Sequence, residues 1–402
     1  MSELNETVLP KLRICMLTDC YPPAIGGIEA HVYSLAAQLA HQGQHVEVVT
    51  HRAHRSATAE AWGQDAVDAS LPNVLVHRLD GLVVSVRGED PVLDPRAVHR
   101  VGGLLRAGQY DIIHGHSFGS LLSLAGLRLG RRMGLPTVVT KHSMTLGRGS
   151  PVLAELLRRL EYWMARRWAD SVIAVSTACA AEMDGVGLPV FTIPGGVDCS
   201  RWRPDMQARQ RVRNSLGYGP DQVVIGYLSR LAPSKGVMAL PALAQRLLRL
   251  LPGVRFLVVG GGPQYASLQA RIEELGLREY FAVLGPKPWN EAPAYLNAMD
   301  VFVFPSRTEA FGLALAEAMA CGVPPVARRS AGAVEINQHE ETGYLVTSDD
   351  ELFERVLELA RQPELRRCMG ARARNRVEQH YEWKAIAALT VEAYAATARR
   401  TT

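Results

Sequence analysis

Short apolar runs alternate with amphipathic stretches along the first half of the chain. Arg13–Thr18 has the length and composition of a buried parallel strand, and a turn rich in proline and glycine follows it at 21–27. Apolar residues then recur at helical spacing from Ile28 to Leu39. Further strand-like runs lie at Val46–Thr50, Asp111–His114, Thr137–Thr140 and Ser171–Val175. This alternation is typical of a doubly wound parallel sheet.

A cluster of glycine and proline near 195–221 interrupts this pattern, and the alternation restarts after it. The second series of apolar runs covers Val223–Leu228, Val254–Val259, Phe281–Leu284, Val301–Phe304 and Pro324–Ala327. The sequence therefore predicts an α/β protein with two Rossmann-like, doubly wound domains, at 1–200 and 201–380, that face a cleft. A C-terminal helix over 381–402 follows them and could pack back on the N-terminal domain.

Composition narrows the class of protein. The 402 residues carry 44 Lys and Arg against 40 Asp and Glu, and the net charge of +4 is small for a dedicated nucleic-acid binder. A hydrophobic fraction of 48% argues against disorder. No apolar run reaches the ~18 residues of a membrane helix, the first eleven residues lack the apolar core of a secretory signal, and the six cysteines are scattered without a CxxC pair. We therefore expect a cytoplasmic protein with reduced thiols.

Two loops after predicted strands suit a phosphate. Gly26-Gly27 opens a helix, where free backbone amides favour an anion, although a tight turn without a ligand explains the same pair. Arg230 and Lys235 share one short loop, and a guanidinium with an ammonium suits a diphosphate; two solvated surface cations are the alternative. The glycines at 260–262 do not form a GxGxxG motif, which argues against a nicotinamide site.

The segment 305–322 gives the most specific indication of chemistry. Glu309 precedes a predicted helix that begins near Gly312, and Glu317 lies within that helix. Phosphate charge is stabilised at a helix start, where this chain places the amides of Phe311, Gly312 and Leu313. We predict that an anion rests on these amides while both carboxylates accept hydrogen bonds from ligand hydroxyls.

Histidines close two predicted strands of the first domain. His116 ends one strand, and Lys141-His142 ends the next. Such a histidine could donate a hydrogen bond to a hydroxyl or relay a proton, although a single histidine is more often structural. Zinc would need a further ligand, and no acidic or cysteine residue joins them at a convincing spacing. Since a DxD motif is also absent, the sequence predicts no metal site.

Residues 153–168 are predicted to form a basic amphipathic helix. Its apolar stripe consists of Leu153, Leu156, Leu157, Leu160 and Met164, and its positive charge comes from Arg158, Arg159, Arg166 and Arg167. One interpretation is a core-packed helix with a solvated basic face. The other is peripheral contact with an anionic membrane.

Several ordered motifs resemble those of retaining glycosyltransferases of family 4, which have the two-domain GT-B fold. The resemblance runs from the opening strand through the two glutamates of 305–322 to the Cys-Gly-Val-Pro that follows them. Within that family, Gly-Gly-Ile-Glu-Ala-His at 26–31, His-Gly-His-Ser at 114–117 and Thr-Glu-Ala-Phe at 308–311 are similar to two groups. These are the catalytic subunits of phosphatidylinositol N-acetylglucosaminyltransferases and related actinobacterial enzymes.

The resemblance implies a metal-independent enzyme without a cofactor, which moves a sugar from a nucleotide-sugar donor, UDP-N-acetylglucosamine by preference, to a small-molecule or lipid acceptor. The implied catalytic residues are His116, Arg230, Lys235 and Glu309. The donor would contact the residues Gly26, Gly27, Arg230, Lys235, Lys287, Glu309, Phe311, Gly312, Leu313 and Glu317. The acceptor would contact the first domain, at Gly26, His116, Lys141 and His142. One departure is Ala331-Gly332-Ala333, where many members have Gly-Gly ahead of the position of Glu335.

Other functions compete with this one. A GDP-sugar-dependent transferase acting on a hydroxyl or thiol of a small secondary metabolite fits the same motifs. So does a catalytically silent protein that only binds nucleotide-sugars within a complex, although the set of Arg230, Lys235, Glu309 and Glu317 is intact. A Rossmann oxidoreductase would need the dinucleotide fingerprint that this chain lacks.

Overall fold

The computed structural model describes residues 11–19, 21–24, 26–52, 71, 73–83, 92–93, 96–145 and 150–401. The chain forms two compact units, Met1–Gly195 with Trp383–Thr402, and Gly196–Glu382. Of the cysteines in the described residues, Cys15, Cys179, Cys199 and Cys321 are buried and Cys368 is exposed, all as free thiols. Cys20 lies outside the described residues. None of the described helices combines the length and apolar composition needed to cross a bilayer.

The first unit is built on a parallel sheet of seven strands in the order β3-β2-β1-β6-β7-β8-β9, with a small antiparallel pair β4-β5 beside it in the chain. The strands are β1 Arg13–Leu17, β2 His45–His51, β3 Val74–Leu79, β4 Leu82–Val83, β5 Val92–Leu93, β6 Ile112–His116, β7 Thr137–Lys141, β8 Ser171–Ala174 and β9 Val190–Thr192. Its helices are α1 Gly27–His41, α2 Ala97–Ala107, α3 Leu121–Arg132, α4 Pro151–Trp168, α5 Thr177–Ala181 and, from the end of the chain, α14 Trp383–Thr401.

The second unit has a parallel sheet of six strands in the order β12-β11-β10-β13-β14-β15. The strands are β10 Val224–Leu228, β11 Arg255–Val259, β12 Phe281–Val283, β13 Val301–Phe304, β14 Pro325–Arg328 and β15 Tyr344–Val346. Its helices are α6 Met206–Ser215, α7 Ala239–Leu248, α8 Tyr265–Glu274, α9 Ala292–Ala298, α10 Leu313–Ala320, α11 Ala331–Ile336, α12 Asp349–Arg361 and α13 Pro363–His380.

Both sheets confirm the predicted α/β, doubly wound class. The ten predicted strands all occur, with ends that differ by at most two residues. Strands β3, β9 and β15 are additional, and each lies at the edge of its sheet. β9 and β15 have only three residues, and β3 is only partly buried, so none shows the continuous apolar run of a central strand.

The last helix contributes to the core of the first unit, although the chain passes through the second unit before reaching it. Trp383, Ile386 and Tyr394 of α14 lie in one cluster with Val32 and Leu35 of α1. The Tyr394 hydroxyl is 2.7 Å from Nδ1 of His114 on β6. The two chain segments that enter and leave the second unit are paired, since the Val197 amide donates to the Tyr381 carbonyl at 2.6 Å.

Candidate active site

The strand order of the second unit brings two predicted loops together. β10 lies between β11 and β13, so the order of strands reverses there and the loops after β10 and β13 leave the sheet side by side. Lys235 in the first loop and Glu309 in the second form an ion pair, with Nζ and Oε1 2.5 Å apart. Two side chains predicted to be catalytic, distant in sequence, are therefore in contact.

A serine and a glycine hold these two loops together. Ser306 is buried, and its hydroxyl lies 2.8 Å from Glu309 Oε1 and 3.2 Å from the Ser234 carbonyl. Gly236 has a left-handed φ of 70°, and a Cβ at this position would lie 2.3 Å from the Pro305 carbonyl oxygen. Only glycine allows both the conformation and the approach. The geometry of the Lys235–Glu309 pair therefore depends on neighbouring backbone as well as on charge.

Helix α10 begins at the predicted position with its first amides uncapped by a side chain. Gly312 occupies the N-cap position with φ 100° and makes no side-chain cap, and Leu313 opens the helix. An uncapped helix start offers amide donors to an anion. Phe311 is buried, with its ring edge-on to that of Tyr381 at 5.7 Å, so its contribution to a ligand site would come from its backbone.

Gly332 in α11 fixes the position of this helix start. Its amide donates to the Glu309 carbonyl at 2.9 Å. A Cβ on Gly332 would lie 2.0 Å from the Phe311 carbonyl oxygen, so no larger residue fits. The departure from the family's Gly-Gly therefore keeps the glycine that touches the site. Glu335 faces elsewhere in its backbone contacts, because its carbonyl accepts from Tyr381 and Arg376.

Glu317 lies one turn deeper, in a buried setting unlike that of Glu309. Its side chain belongs to the core of α10 and is 6% exposed. Burial raises the pKa of Glu317 to about 8, and the Trp289 indole N–H and the Arg201 charge offset part of that rise. The Arg201 guanidinium stacks over the Trp289 ring at 3.7 Å. In the absence of a ligand, this carboxyl is therefore largely protonated at neutral pH.

The other predicted donor-site cations lie on loops of the same sheet edge without entering the Lys235–Glu309 pair. Arg230 follows β10 and its side chain is exposed. Lys287 follows β12 and the turn at Gly285, which has φ 71°. The Lys287 ammonium lies 5.9 Å from the centroid of the Tyr295 ring. Both cations are available to a ligand that reaches this edge.

In the first unit, the strand order also reverses at one point, between β1 and β6. Gly26-Gly27 follows β1 and begins α1, His116 ends β6, and His142 follows β7. His116 Nδ1 and His142 Nε2 are 3.0 Å apart. The predicted acceptor residues Gly26, His116 and His142 therefore all belong to the carboxyl edge of this sheet. A Cβ on Gly27 would meet open space.

A third histidine, His31 of α1, joins this pair. Its ring centroid lies 4.7 Å from that of His142 and 6.0 Å from that of His116. Burial lowers the pKa of His31 to about 4. Burial, with the neighbouring histidines as a second cause, holds the pKa of His116 and of His142 well below the ordinary range. These imidazoles are therefore neutral at physiological pH.

Lys141 is held in an internal ion-pair network. Its ammonium lies 2.5 Å from Glu161 Oε2 and 3.1 Å from Glu182 Oε2. The hydroxyl of Thr145 is 2.9 Å from the Lys141 nitrogen. The side chain is 1% exposed, so these contacts already compensate its charge. The structure thus places Lys141 at the predicted strand end, with its ammonium directed into this network.

Four residues around these sites escaped the sequence reasoning: Ser306, Arg201, Trp289 and His31. His31 could have been found, since it lies one turn into the helix that the glycine pair opens. Ser306 directly follows a strand and its proline, a position where ligand-site residues concentrate. Arg201 and Trp289 carry no local signal, because only folding brings these distant segments to Glu317.

Comparison with known proteins identifies the family. A model of group 1 glycosyl transferases matches residues 208–376, and a model of glycosyltransferase family 4 matches residues 25–201. A GDP-mannose-dependent α-(1-6)-phosphatidylinositol monomannoside mannosyltransferase of Mycolicibacterium smegmatis is 31% identical over 396 residues, covering 94% of this chain and 97% of its own. A phosphatidylinositol N-acetylglucosaminyltransferase component from Arabidopsis thaliana is 30% identical over 389 residues, with 96% and 82% covered.

Solved structures agree on the fold. HepE of Anabaena, crystallised with UDP and glucose, superposes with a TM-score of 0.77 at 22% identity, over 96% of this chain and 100% of the other. Sucrose-phosphate synthase from Thermosynechococcus elongatus gives a TM-score of 0.76 at 23% identity, over 96% and 99%. From the family matches and the full-length relatives, this chain belongs to glycosyltransferase family 4, with the GT-B fold, and is a glycosyltransferase that uses a nucleotide-sugar donor.

Proposed function

We propose that this chain transfers a hexose from a nucleoside-diphosphate sugar to a hydroxyl of an inositol-bearing acceptor, with retention of the anomeric configuration. The observation that carries the proposal is the Lys235–Glu309 ion pair beside the uncapped start of α10. An ammonium, a carboxylate and free amides together match a diphosphate joined to a sugar. Inositol is the chemistry shared by the names of three relatives, a mannosyltransferase, an N-acetylglucosaminyltransferase and a D-inositol 3-phosphate glycosyltransferase.

In the proposed reaction, the acceptor hydroxyl attacks from the face that the diphosphate leaves, and the departing phosphate takes the hydroxyl's proton. Lys235 and Arg230 stabilise the charge that develops on that phosphate. Glu309 accepts a hydrogen bond from a donor-sugar hydroxyl, and His116 binds beside the sugar. A double displacement would need a free carboxylate at the anomeric carbon. Glu309 is instead engaged by Lys235 and Ser306.

The role of Lys235 is tested by Lys235→Ala. The variant should lower kcat by at least about a hundredfold, because the ammonium acts on charge that appears only in the transition state. Arg249→Ala, which removes an exposed cation at the end of α7, is the matched control and should keep full activity. Equal kcat in the two variants would exclude this role.

Two donors compete. UDP-N-acetylglucosamine is the first choice, on the motifs at 26–31, 114–117 and 308–311. GDP-mannose is the second, because the name of the mycobacterial relative at 31% identity states that dependence. Turnover of each donor with phosphatidylinositol or inositol phosphate, followed by NMR of the product, decides between them. An inverted anomeric configuration would disprove the proposed mechanism.

We also propose that transfer needs no divalent cation on the diphosphate, since Arg230, Lys235 and the start of α10 supply positive charge. Activity should persist in excess chelator. A loss of turnover that magnesium restores would contradict this.

Helix α4 is proposed to bring the enzyme to an anionic membrane surface. Of the five residues predicted to form one stripe, Leu156 and Leu160 are exposed, while Leu153, Leu157 and Met164 are partly buried. The exposed pair continues into Val152, 80% exposed, and Trp163, 54% exposed. Arg159 and Arg167 are exposed on the same helix. An apolar row flanked by arginines suits the interface of an anionic bilayer.

Co-sedimentation with phosphatidylserine vesicles tests this surface. Replacing Leu156, Leu160 and Trp163 by Ser should abolish binding, and neutral vesicles should bind the unaltered chain weakly. Replacing the exposed Leu250 and Leu389 by Ser serves as the control for lost apolar surface. Equal co-sedimentation of both variants would rule out docking through α4.

A further inference from the structure

Three buried or half-buried imidazoles from three separate elements converge in the first unit. His31 comes from α1, His116 from the end of β6 and His142 from the segment after β7. One ring nitrogen of each lies within 4.8 Å of one nitrogen of each of the others. The His116 Nδ1 to His142 Nε2 distance is 3.0 Å. His116 Nε2 is buried and has no hydrogen-bond partner among the described residues.

The cluster has the chemistry of a transition-metal site. Imidazole nitrogens are preferred ligands of Zn²⁺, Cu²⁺ and Ni²⁺, and they coordinate in the neutral form. Because burial keeps these three rings neutral at physiological pH, no proton has to be displaced before a metal binds. Three imidazoles with one position left open is the ligand set of a metal ion that also accepts water or another oxygen.

We propose that His31, His116 and His142 bind a divalent transition-metal ion, with Zn²⁺ as the type, and leave one coordination position open. A tetrahedral ion with Zn–N bonds of about 2.0–2.1 Å places its ligand nitrogens roughly 3.3 Å apart. His116 and His142 are already near that separation. The longest separation in the cluster, at most 4.8 Å, closes by rotation of the His31 side chain.

The surrounding residues hold one edge of the site rigid. His114 stacks beside His116 with ring centroids 4.0 Å apart. Both nitrogens of His114 are occupied, by the Tyr394 hydroxyl and by Thr140 Oγ1, each at 2.7 Å. His114 is therefore a support for His116 rather than a fourth ligand. Trp383 packs against His31 at 5.2 Å and shields it from solvent.

The consequence for activity rests on the proposed function. His116 and His142 are predicted to contact the acceptor, so an ion that joins them to His31 occupies the place of the acceptor hydroxyl. Zn²⁺ is therefore an inhibitor that competes with the acceptor, while catalysis itself proceeds without a metal. The open coordination position would accept water or an acceptor oxygen.

The direct test measures binding of Zn²⁺ alone to the full chain after removal of metal with a chelator. Calorimetry should give one site of micromolar or tighter dissociation constant, and Co²⁺ in its place should give the intense visible absorption of a four-coordinate ion. His31→Gln and His142→Gln should each weaken Zn²⁺ at least about tenfold. His41→Gln, an exposed histidine at the end of the same helix α1, should leave the affinity unchanged.

An affinity that is equal in the unaltered chain and in His31→Gln, or an octahedral Co²⁺ spectrum, overturns the site. The spectrum is taken on the unaltered chain, so it stands even if a variant fails to fold. In the activity assay, Zn²⁺ should raise the KM for acceptor in the unaltered chain and much less in His31→Gln. Zn²⁺ binding without inhibition overturns the competition with acceptor. Zn²⁺ binding in a chain without any transferase activity would instead refute the proposed function and leave the site standing.

Discussion

The two glutamates of the motif 305–322 occupy different chemical environments. Glu309 is in a salt bridge with Lys235 and accepts a hydrogen bond from Ser306. Glu317 is buried against Trp289, with a pKa raised to about 8 by burial. The first is suited to a charged contact with the diphosphate-sugar region. The second gains full charge only when a ligand supplies compensating hydrogen bonds.

At Glu317, alanine should weaken donor affinity by about tenfold or more, because hydrogen bonds from two ligand hydroxyls to a carboxyl are lost. Glu317→Gln should lose less, since an amide oxygen still accepts from Trp289 and from a hydroxyl. Calorimetry with the donor measures both variants. Affinities unchanged in the alanine variant, with its fold intact, would remove Glu317 from the donor site.

The same carboxyl should give the protein a pH-dependent stability. Its folded-state pKa of about 8 lies above the unfolded value of 4.5. The folded state therefore holds a proton that the unfolded state has released, and the stability contribution is lost as pH rises from about 4.5 to 8. Glu317→Gln should remove this loss and be more stable than the unaltered chain at pH 8, by on the order of 2 kcal/mol. Denaturant titrations at pH 5 and pH 8 compare the two; parallel pH profiles would contradict the prediction.

At the scale of elements, glycines decide how closely the two loops of the second unit approach. Gly236 lies against Pro305, and Gly332 of α11 lies against the Phe311 carbonyl. These contacts place the start of α10 beside the Lys235–Glu309 pair. A bulkier residue at either position must displace backbone, which cannot yield as a flexible side chain does.

Gly332→Ala is therefore expected to destabilise the chain by about 1–3 kcal/mol and to weaken donor binding, because its methyl group would push the start of α10 out of position. Gly253→Ala is the matched control, since a Cβ there meets nothing within 4 Å. Thermal unfolding and donor calorimetry measure both effects. A Gly332→Ala variant as stable and as tight-binding as Gly253→Ala would show that the contact is not important.

In the molecule as a whole, the chain closes the core of its first unit with its last helix. Trp383, Ile386 and Tyr394 contribute to that core, whereas the donor-site residues Lys235 and Glu309 belong to the second unit. Stability of one unit and nucleotide binding by the other should therefore be separable.

Ending the chain at Glu382 should expose amides of β1, β6 and β7 to hydrogen exchange, because the apolar surface under α14 loses its cover. Peptides from 224–336 should keep their protection and still gain protection from UDP or GDP. Removing only residues 399–402 is the control for a shortened terminus. Protection of β1 and β6 that survives loss of the whole helix would contradict this view of the first unit.

Local patterns in the chain were enough to predict the fold class, ten of the strands and the loop positions of the donor-site residues. Central strands of parallel sheets are continuous apolar runs, and glycine-opened helices follow them, so neighbouring residues carry this information. The order Arg230, Lys235, Glu309, Glu317 was sufficient to indicate the family. The short edge strands β3, β9 and β15 were missed because they lack the apolar run of a central strand.

Which side chains meet depends on the three-dimensional arrangement. The ion pair of Lys235 with Glu309 and the setting of Glu317 between Trp289 and Arg201 follow from strand order, which no local pattern encodes. Lys141 has the same local signature as His142, yet its ammonium is held by Glu161 and Glu182. The third imidazole, His31, reaches His116 and His142 because parallel strands and their following helices end at one edge, where residues far apart in the chain come within bonding distance.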